Sequence, residues 1–324
     1  MAFVARILPR TANPQRCLVA TRSFFAYDKH TPVQTSLVEQ SLRDETLRQR
    51  DELILIPSES ICYPECEKIV SSPFGNIYAE GQPDLRLARV SPALATDREY
   101  FQAWHRRLSD GRFYRGCNQS DRVELLAKHY IASAFARLTG SPRADDIYAN
   151  VQALSGSPAN LAIYTALLKP GDNLLTLHLS HGGHLSHGSP FNVSGKYYKA
   201  TQYTIDPITR QLDYDAIHRL AQESKPRMLV GGASAYPMDW DWARLREIAD
   251  DVGALLHADV CHLAGLIVGG QLNNPLPYSD TVMFTTHKTL MGPRGAVIVT
   301  KCKDMARKID NAVFPGMQAS NWRR

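Results

Sequence analysis

The second half of the chain alternates short apolar runs with amphipathic segments. The apolar runs are rich in strand-forming residues and lie at 147–151, 173–177, 228–230, 254–258, 281–285 and 296–300. Between several of them, residues 158–168, 214–223 and 242–252 repeat apolar side chains with the period of a helix. A strand followed by a helix and another strand predicts parallel pairing, with helices on both faces of the sheet. We therefore predict an α/β fold with three αβα layers around a mostly parallel central sheet.

The first half of the chain shows less of this alternation. Residues 35–51 have a helical pattern, and residues 122–139 form a strongly amphipathic one. Between them, residues 57–92 are punctuated by Pro and Ser and predict loops and short turns. The predicted divisions are a leader-like segment at 1–27, an N-terminal region with helix, loops and an insertion at 28–115, a large domain at 116–316 and a tail at 317–324.

Residues 1–27 differ in composition from the rest of the chain. They contain four Arg residues and no Asp or Glu, and Phe3, Val4, Ile7 and Leu8 can share one helical face. Such a segment is typical of a mitochondrial transit peptide, because a cationic amphipathic helix adheres to anionic membranes. We expect a mitochondrial protein; the alternative is a disordered basic tail on a cytoplasmic one.

Composition excludes several classes of protein. Hydrophobic residues make up 44% of the chain and charged residues 21%, which are globular values. The most apolar stretch, 253–270, is interrupted by His257, Asp259 and His262, so a membrane span is not expected. The net charge of +5 is spread without a basic run, so we expect no nucleic-acid partner.

Cysteine usage does not predict a disulfide framework or a metal site. Six cysteines are scattered over 324 residues, whereas disulfide frameworks occur mainly in short secreted chains. Cys62 and Cys66 form a C-x-x-x-C pair, but no second pair lies at the spacing of a zinc site. We expect reduced thiols and no bound metal.

A first candidate motif follows the strand predicted at 147–151. Ser155, Gly156 and Ser157 precede a helix, and Pro158 takes an early helical position where its missing N–H costs nothing. Hydroxyls and free backbone N–H groups at a helix N-terminus suit a phosphate. An ordinary helix cap produces the same pattern, so this motif alone leaves the phosphate site open.

A second motif contains four histidines, His178, His181, His184 and His187. Their spacing suggests metal ligands, but the Gly182-Gly183 pair breaks any helix that would align them, and no carboxylate or thiolate is interleaved. A histidine placed by the glycine turn against a flat ligand and a buried structural histidine are the two interpretations that stay open.

Two further candidates, Asp259 and Lys288, follow apolar runs that predict strands. A buried carboxylate is costly unless it is paired, and the protonated pyridine nitrogen of pyridoxal phosphate would be such a partner. Burial disfavours an ammonium ion, and a neutral amine is the form that makes Schiff bases. One strand–crossover–strand unit separates the two residues, so both can reach one ring. The alternatives are an Asp that caps the next turn and a Lys on a solvated face.

Together these segments resemble the serine hydroxymethyltransferase family, pyridoxal-phosphate enzymes of fold type I. The resemblance is continuous from about Gly116 to Gly316 and thinner from Asp51 to Arg86. The motifs that carry it are Gly-Gly-His-Leu-Ser-His-Gly at 182–188, Asp-Val-Cys-His at 259–262 and Thr-Thr-His-Lys-Thr-Leu-Met-Gly-Pro-Arg-Gly at 285–295. The implied activity is the interconversion of serine and glycine, with tetrahydrofolate as the one-carbon acceptor. A homodimer or higher homo-oligomer is also implied.

The resemblance also implies roles for individual residues. Lys288 would hold the cofactor as a Schiff base, Asp259 would pair with its pyridine nitrogen, and His184 would stack on its ring. The implied cofactor contacts are Ser155, Gly156, Ser157, His184, Ser234, Asp259, His262, His287 and Lys288. The implied catalytic residues are Lys288, Glu80, His184, Asp259 and His262. The implied substrate and folate contacts are Ser58, Tyr78, Glu80, Tyr114, Leu179, Gly183 and Leu185, with Tyr78 and Glu80 reaching a neighbouring subunit's site.

The sequence departs from the family pattern in three places. Extra sequence lies between Arg86 and Arg112, which delays the segment that contains Tyr114. In the segment 314–320, three family glycines are replaced by Met317, Ala319 and Ser320, and a Cβ restricts the backbone there. No residue matches the arginine of the family's small C-terminal domain, so we expect a chain truncated before that domain.

These departures keep two alternatives open beside the hydroxymethyltransferase. One is a folate-independent pyridoxal-phosphate aldolase that acts on β-hydroxy amino acids. The other is a truncated, non-catalytic paralogue that binds the cofactor or a full-length partner. Without the arginine that grips the substrate carboxylate, the orientation of the substrate about its Cα would be poorly defined.

Overall fold

The computed structural model describes residues 33–319, except 85, 88–90, 109–110 and 139. The predicted leader at 1–27 and the end of the predicted tail lie outside the described residues. The chain divides into two compact units, one ending at Leu55 and the other beginning at Ile56. In the described part of the first unit, helix α1 spans Val33–Asp51, as its pattern predicts, with Arg48 bonded to Glu45 one turn earlier.

The second unit contains a seven-stranded sheet. Its strands are β1 (Tyr148–Asn150), β2 (Asn173–Leu177), β3 (Lys199–Tyr203), β4 (Met228–Gly232), β5 (Leu255–Asp259), β6 (Thr281–Thr285) and β7 (Ala296–Thr300). Their order across the sheet is β1-β7-β6-β5-β4-β2-β3. The helices are α2 (Pro64–Val70), α3 (Pro92–Thr96), α4 (Arg98–Leu108), α5 (Asn118–Ala136), α6 (Gly156–Leu167), α7 (Val193–Tyr197), α8 (Tyr214–Ser224), α9 (Trp242–Asp251), α10 (Ala264–Val268) and α11 (Lys303–Asn311).

Helices cover both faces of this sheet, so the three-layer prediction is confirmed. On one face, residues of α5, α8, α9 and α10 form a single apolar core with the strands. On the other face, α6 and α11 form a second core. Strand β4 contributes side chains to both cores, because Leu229 packs in the first core while Met228 and Val230 pack in the second.

The antiparallel exceptions to the predicted mostly parallel pairing lie at one edge of the sheet. Strand β7 pairs antiparallel with both β1 and β6, whereas β2 to β6 pair in parallel. The sheet is therefore mostly parallel, but strand–helix–strand alternation does not extend to its last strand. No helix lies between the predicted runs at 281–285 and 296–300, and the short connection reverses the chain.

Several element boundaries also differ from the predictions. Strand β3 was not predicted, because it is an edge strand whose Lys199 and Ala200 are exposed and which therefore lacks an apolar run. Helix α2 lies inside the region predicted as loops and turns; its Pro64 starts the helix rather than breaking it. Helix α5 begins at Asn118 and ends at Ala136, earlier at both ends than the predicted 122–139.

The extra sequence between Arg86 and Arg112 leaves and rejoins the fold at one place. Gly81 and Arg112 form an antiparallel bridge, and the Phe113 amide donates to the Glu80 carbonyl at 3.1 Å. Between these points, α4 packs on α5 through a buried apolar cluster. That cluster consists of Leu87, Phe101, Leu108 and Leu125. An excursion with closely spaced ends is the geometry expected of an inserted segment.

Arg112 ties the base of this insertion to α5. Its guanidinium is buried and donates to Asp121 at 2.7 Å, to Glu124 at 2.8 Å and to the carbonyls of Ala79 and Gly81. His105 of α4 bonds to the same Asp121 at 2.7 Å. Because every one of these groups is withdrawn from water, each needs its partner.

Two absences concern the described residues alone. None of their helices combines the length and apolar character that a membrane-spanning helix needs. The five cysteines that the structure describes are free thiols: Cys62, Cys66, Cys117, Cys261 and Cys302.

We predict that Arg112→Met lowers the free energy of unfolding by about 3 to 5 kcal/mol, because the buried carboxylates of Asp121 and Glu124 lose a cation and only Glu124 keeps a second one, Lys128. Urea unfolding at pH 7 measures the change. The matched control is Arg86→Met, which removes an exposed partner of Asp84 and should cost at most about 1 kcal/mol. Equal losses in the two variants would contradict the prediction.

The same comparison should depend on pH. Burial by itself raises the pKa of Glu124, but Lys128 and Arg112 outweigh burial and hold the pKa below its usual value. A carboxyl whose pKa is lowered by folding stabilises the protein above its unfolded pKa, and this stabilisation is lost as the pH falls through the folded pKa. The difference in free energy of unfolding between wild type and Arg112→Met should therefore be largest near neutral pH. It should become smaller as the pH falls below about 4.5.

Candidate active site

Loops that follow the parallel strands enclose a cavity of about 170 Å³. It lies where sheets of this type bind ligands, beyond the carboxyl ends of the strands. Its lining residues are Ser155, Gly156, Ser157, His184, Ala233, Ser234, Asp259, Cys261, His262, Thr285, His287 and Lys288. All nine residues predicted to contact a cofactor are among them, so the structure brings these segments together.

Asp259 ends β5 and is held by three donors. Its Oδ2 accepts from Asn160 Nδ2 at 2.8 Å and from His187 Nε2 at 2.9 Å, and its Oδ1 accepts from the Cys261 amide at 3.1 Å. Burial by itself raises the pKa of Asp259, but the bonds from His187 and Asn160 outweigh burial and hold the pKa well below its usual value. The cavity therefore contains a buried, ionised carboxylate.

The neighbouring strand makes room for the backbone of Asp259. Gly232 of β4 is the cross-strand partner of Asp259, and its φ is +123°. A Cβ at Gly232 would lie 1.9 Å from the Asp259 carbonyl oxygen, so a side chain cannot be accommodated there.

Lys288 lies three residues beyond β6 and is 8% exposed. Its Nζ is 3.0 Å from His262 Nε2. Burial, and then the charge of Lys288, lower the pKa of His262 to about 4, so the imidazole is neutral and its Nε2 accepts a hydrogen bond from the amine. The lysine is thus directed by a neutral base into the cavity that Asp259 also lines.

The opposite end of the cavity is the N-terminus of α6. The Ser155 side chain does not cap this helix, so the N–H groups of its first turn have no side-chain partner there. A Cβ at Gly156 would lie 3.2 Å from Thr285 Cγ2 and 3.3 Å from Cys261 Sγ. The glycine therefore lets the helix start close to β6, with Ser155 and Ser157 on either side of it.

His184 lines the cavity between these two ends. Burial is the main cause that lowers the pKa of its imidazole, so the ring is neutral. Its Nδ1 lies 2.7 Å from Ser186 Oγ. The Gly182-Gly183 pair turns the chain into this position: Gly182 has a φ of +103°, and a Cβ at Gly183 would lie 2.1 Å from the Leu177 carbonyl oxygen.

Two of the four histidines considered as metal ligands, His184 and His187, both of which follow the glycine pair, converge on Asp259. Potential ligand atoms of His184, His187 and Asp259 lie within 4.8 Å of one another. The distance of 2.9 Å between His187 Nε2 and Asp259 Oδ2 is that of a hydrogen bond. The histidine therefore serves as a donor to the carboxylate in this geometry.

The residues predicted to contact substrate and folate lie outside the cavity lining. They are Ser58, Tyr78, Glu80, Tyr114, Leu179, Gly183 and Leu185. The Glu80 amide donates to Tyr114 Oη at 3.3 Å, so the structure joins these two across the insertion. Tyr78 is 62% exposed, and Leu179 and Leu185 are also exposed.

Sequence reasoning missed part of the site. Cys261 and Thr285 line the cavity and sit inside motifs that were already singled out, so the motif boundaries could have indicated them. Burial raises the pKa of the Cys261 thiol well above its usual value, which makes it a packing residue rather than a nucleophile. Asn160 carried no local signal, since its contact with Asp259 spans 99 residues.

Comparisons with known proteins agree with this geometry. A sequence model of the family described as serine hydroxymethyltransferase matches residues 105–323. Over 277 residues the chain is 42% identical to the serine hydroxymethyltransferase of Crocosphaera subtropica (strain ATCC 51142 / BH68), covering 86% of this chain and 57% of that protein. Over 278 residues it is 41% identical to that of Lactobacillus johnsonii (strain CNCM I-12250 / La1 / NCC 533), covering 86% and 59%. The chain thus spans less than two thirds of the length of these relatives. With a match over most of its own length, it belongs to the serine hydroxymethyltransferase family and has that family's fold type I architecture.

Proposed function

We propose that this chain is a pyridoxal-phosphate-dependent hydroxymethyltransferase. It would interconvert serine and glycine and pass the one-carbon unit to tetrahydrofolate. The observation that carries this proposal is the cavity in which the Lys288 amine, the Asp259 carboxylate and the start of α6 face a common space. Membership of the family supports the same reaction.

The residues present fit pyridoxal phosphate. The ionised Asp259 carboxylate suits a protonated pyridine nitrogen, and the neutral His184 ring suits the flat face of the cofactor. The start of α6, with Gly156 and flanking hydroxyls, suits the phosphate. When bound, the cofactor supplies an electron sink for the bond that breaks at the amino acid's Cα.

The chain's own groups would manage binding and protons around that centre. The neutral His262 imidazole holds the Lys288 amine by accepting its hydrogen at 3.0 Å. Asp259 keeps its negative charge because three donors hold it. Ser234 and His287 line the remaining wall, where polar substituents of the cofactor would find partners.

We propose that a second copy of the chain completes the site. A hydrogen bond joins Glu80 and Tyr114 outside the cavity, and Tyr78 is 62% exposed, which suits residues that serve a neighbouring subunit. The second unit also exposes several other large apolar side chains. These include Ile56, Ile61, Tyr63, Ile69 and Phe113. Exposed apolar side chains that form one patch are typical of an interaction surface, and we propose that a homodimer buries these.

The folate would lie against the loop that follows β2. Leu179 and Leu185 expose apolar side chains there, at 44% and 47%, while Gly183 packs against the end of β2. Ser58 is exposed and belongs to the loop before α2. We keep for these residues the substrate and folate roles that the family resemblance implies.

We predict that purified protein mixed with pyridoxal phosphate acquires a visible absorbance that Lys288→Ala lacks, because the chromophore requires a covalent bond to this amine. The matched control is Lys301→Ala, which removes a lysine that lies outside the cavity lining and donates to the Pro277 carbonyl. If wild type and Lys288→Ala gave the same spectrum, the cofactor assignment would be wrong.

We predict that the chain cleaves serine to glycine in the presence of tetrahydrofolate, and that omitting the folate reduces the rate to that of Lys288→Ala. An assay of glycine formation with and without folate measures this. Undiminished cleavage without folate would favour the aldolase. Visible absorbance without any cleavage would favour the non-catalytic subunit.

We further propose that residues 1–27 direct the protein to mitochondria, on the grounds of their four arginines and missing acidic residues. We predict that residues 1–30 fused to a fluorescent protein accumulate in mitochondria, and that replacing Arg6, Arg10, Arg16 and Arg22 by Gln abolishes this, because import responds to positive charge. Imaging the two fusions side by side measures where each one accumulates. An even cytoplasmic signal from both would contradict mitochondrial targeting by these residues.

A further inference from the structure

One amide, that of Asn160, is connected to both of the side chains expected to contact the cofactor ring, to Asp259 directly and to His184 through Ser186. Asn160 is fully buried on α6, and its Nδ2 donates to Asp259 Oδ2 at 2.8 Å and to Ser186 Oγ at 2.8 Å. Since Ser186 Oγ accepts this hydrogen, its own hydrogen is free to go to His184 Nδ1, 2.7 Å away, which also accepts from the Ser186 amide at 3.2 Å. Asn160 therefore acts on Asp259 directly and on His184 through one hydroxyl.

The orientation of this amide is set from behind by a second pair of side chains. Asn160 Oδ1 lies 2.9 Å from His257 Nε2, and His257 Nδ1 lies 2.9 Å from Thr281 Oγ1. An amide oxygen can only accept, so His257 Nε2 carries the hydrogen. Burial lowers the pKa of His257 to about 4, so the ring is neutral and its Nδ1 accepts the threonine hydrogen.

With these partners, only one orientation of the Asn160 amide is favourable. In the opposite orientation, Oδ1 would face the Asp259 carboxylate, acceptor against acceptor, while Nδ2 would face the N–H of His257. Both bonds would be lost in a fully buried place, where unpaired polar groups cost the most. The Asp259 carboxylate on one side and the N–H of His257 on the other thus select this orientation of the amide, and the Thr281 hydroxyl, which can donate or accept, satisfies His257 Nδ1.

The position of this polar pair makes a purely structural role a poor explanation. His257 and Thr281 are cross-strand partners at the centre of the sheet, and neither is exposed to solvent. Their neighbours along the two strands, among them Leu256, Ala258 and Val282, are apolar and fully buried. Well-packed apolar residues generally stabilise such a place at least as well as a buried polar network.

We propose that Asn160, His257 and Thr281 are positioning residues that orient Asp259 toward the pyridine nitrogen of the cofactor and His184 toward its ring. This inference rests on the proposed function. The relay, as we name Thr281, His257 and Asn160, runs from the middle of the sheet to the cavity. It does not touch the reacting atoms. Its effect passes through the two side chains that do.

The test compares two ligands, pyridoxal phosphate and its 1-deaza analogue, in which a C–H replaces the ring nitrogen. The ratio of their dissociation constants isolates the contact of Asp259 with that nitrogen. We expect wild type to prefer pyridoxal phosphate and His257→Leu to lose about tenfold of this preference, the scale of one hydrogen bond to a charged group. His257→Gln should restore the preference, because its amide can donate to Asn160 and accept from Thr281.

Tyr203→Phe is the matched control for general damage. Tyr203 Oη donates to the Val230 carbonyl at 2.8 Å, so this change also deletes a buried hydrogen bond within the sheet. It should lower the melting temperature and leave the ligand ratio unchanged. The relay would be overturned if His257→Leu gave the same ratio of dissociation constants as wild type. It would also be overturned if Tyr203→Phe lost as much of the preference for pyridoxal phosphate as His257→Leu.

A cofactor-free measurement separates failure of the relay from failure of the proposed function. In protein with ¹⁵N-labelled histidine, NMR should find His257 neutral, in the tautomer with its hydrogen on Nε2 that donates to Asn160. A His257 hydrogen on Nδ1 instead would also overturn the relay. A wild-type ligand ratio near one would instead overturn the contact of Asp259 with the ring nitrogen, and the NMR result would still decide the relay.

Discussion

The site depends on keeping a carboxylate ionised in an apolar interior. Asp259 ends a strand whose neighbours are fully buried, and an isolated charge there would be too costly to persist. Its three donors come from three separate parts of the chain: α6, the loop after β2 and the backbone just beyond β5. Gly232 on the neighbouring strand leaves space for the backbone of Asp259. The architecture of this end of the sheet follows from satisfying one anion.

The other ionisable groups around the cavity are consistent with a cationic ligand ring. Burial keeps the imidazoles of His184 and His262 neutral, and Asp259 is the acidic residue among the lining side chains. A neutral flat ring, an anion and an amine held by a neutral base form a complementary surface for an aromatic aldehyde with a protonated nitrogen. The charge pattern thus suits the ligand proposed above.

Much of the site could be predicted because parallel sheets gather the ends of their strands at one edge. Asp259 and Lys288 follow apolar runs, so their convergence required only the topology. His187 and Asn160 could not be assigned in this way, since they reach Asp259 across 72 and 99 residues. The polar His257 in an otherwise apolar strand was a visible anomaly, but the sequence does not say which amide it would orient.

The sequence by itself determined the layered α/β architecture and the bounds of β2, β6 and β7, because local periodicity reports which side chains a strand or helix must bury. Tertiary structure alone decided the antiparallel edge, the edge strand β3, and the packing of the insertion on α5 through Arg112 and His105. It also decided which of several histidines donates to the buried carboxylate. Those outcomes depend on contacts between distant segments, and such contacts leave no period in the chain.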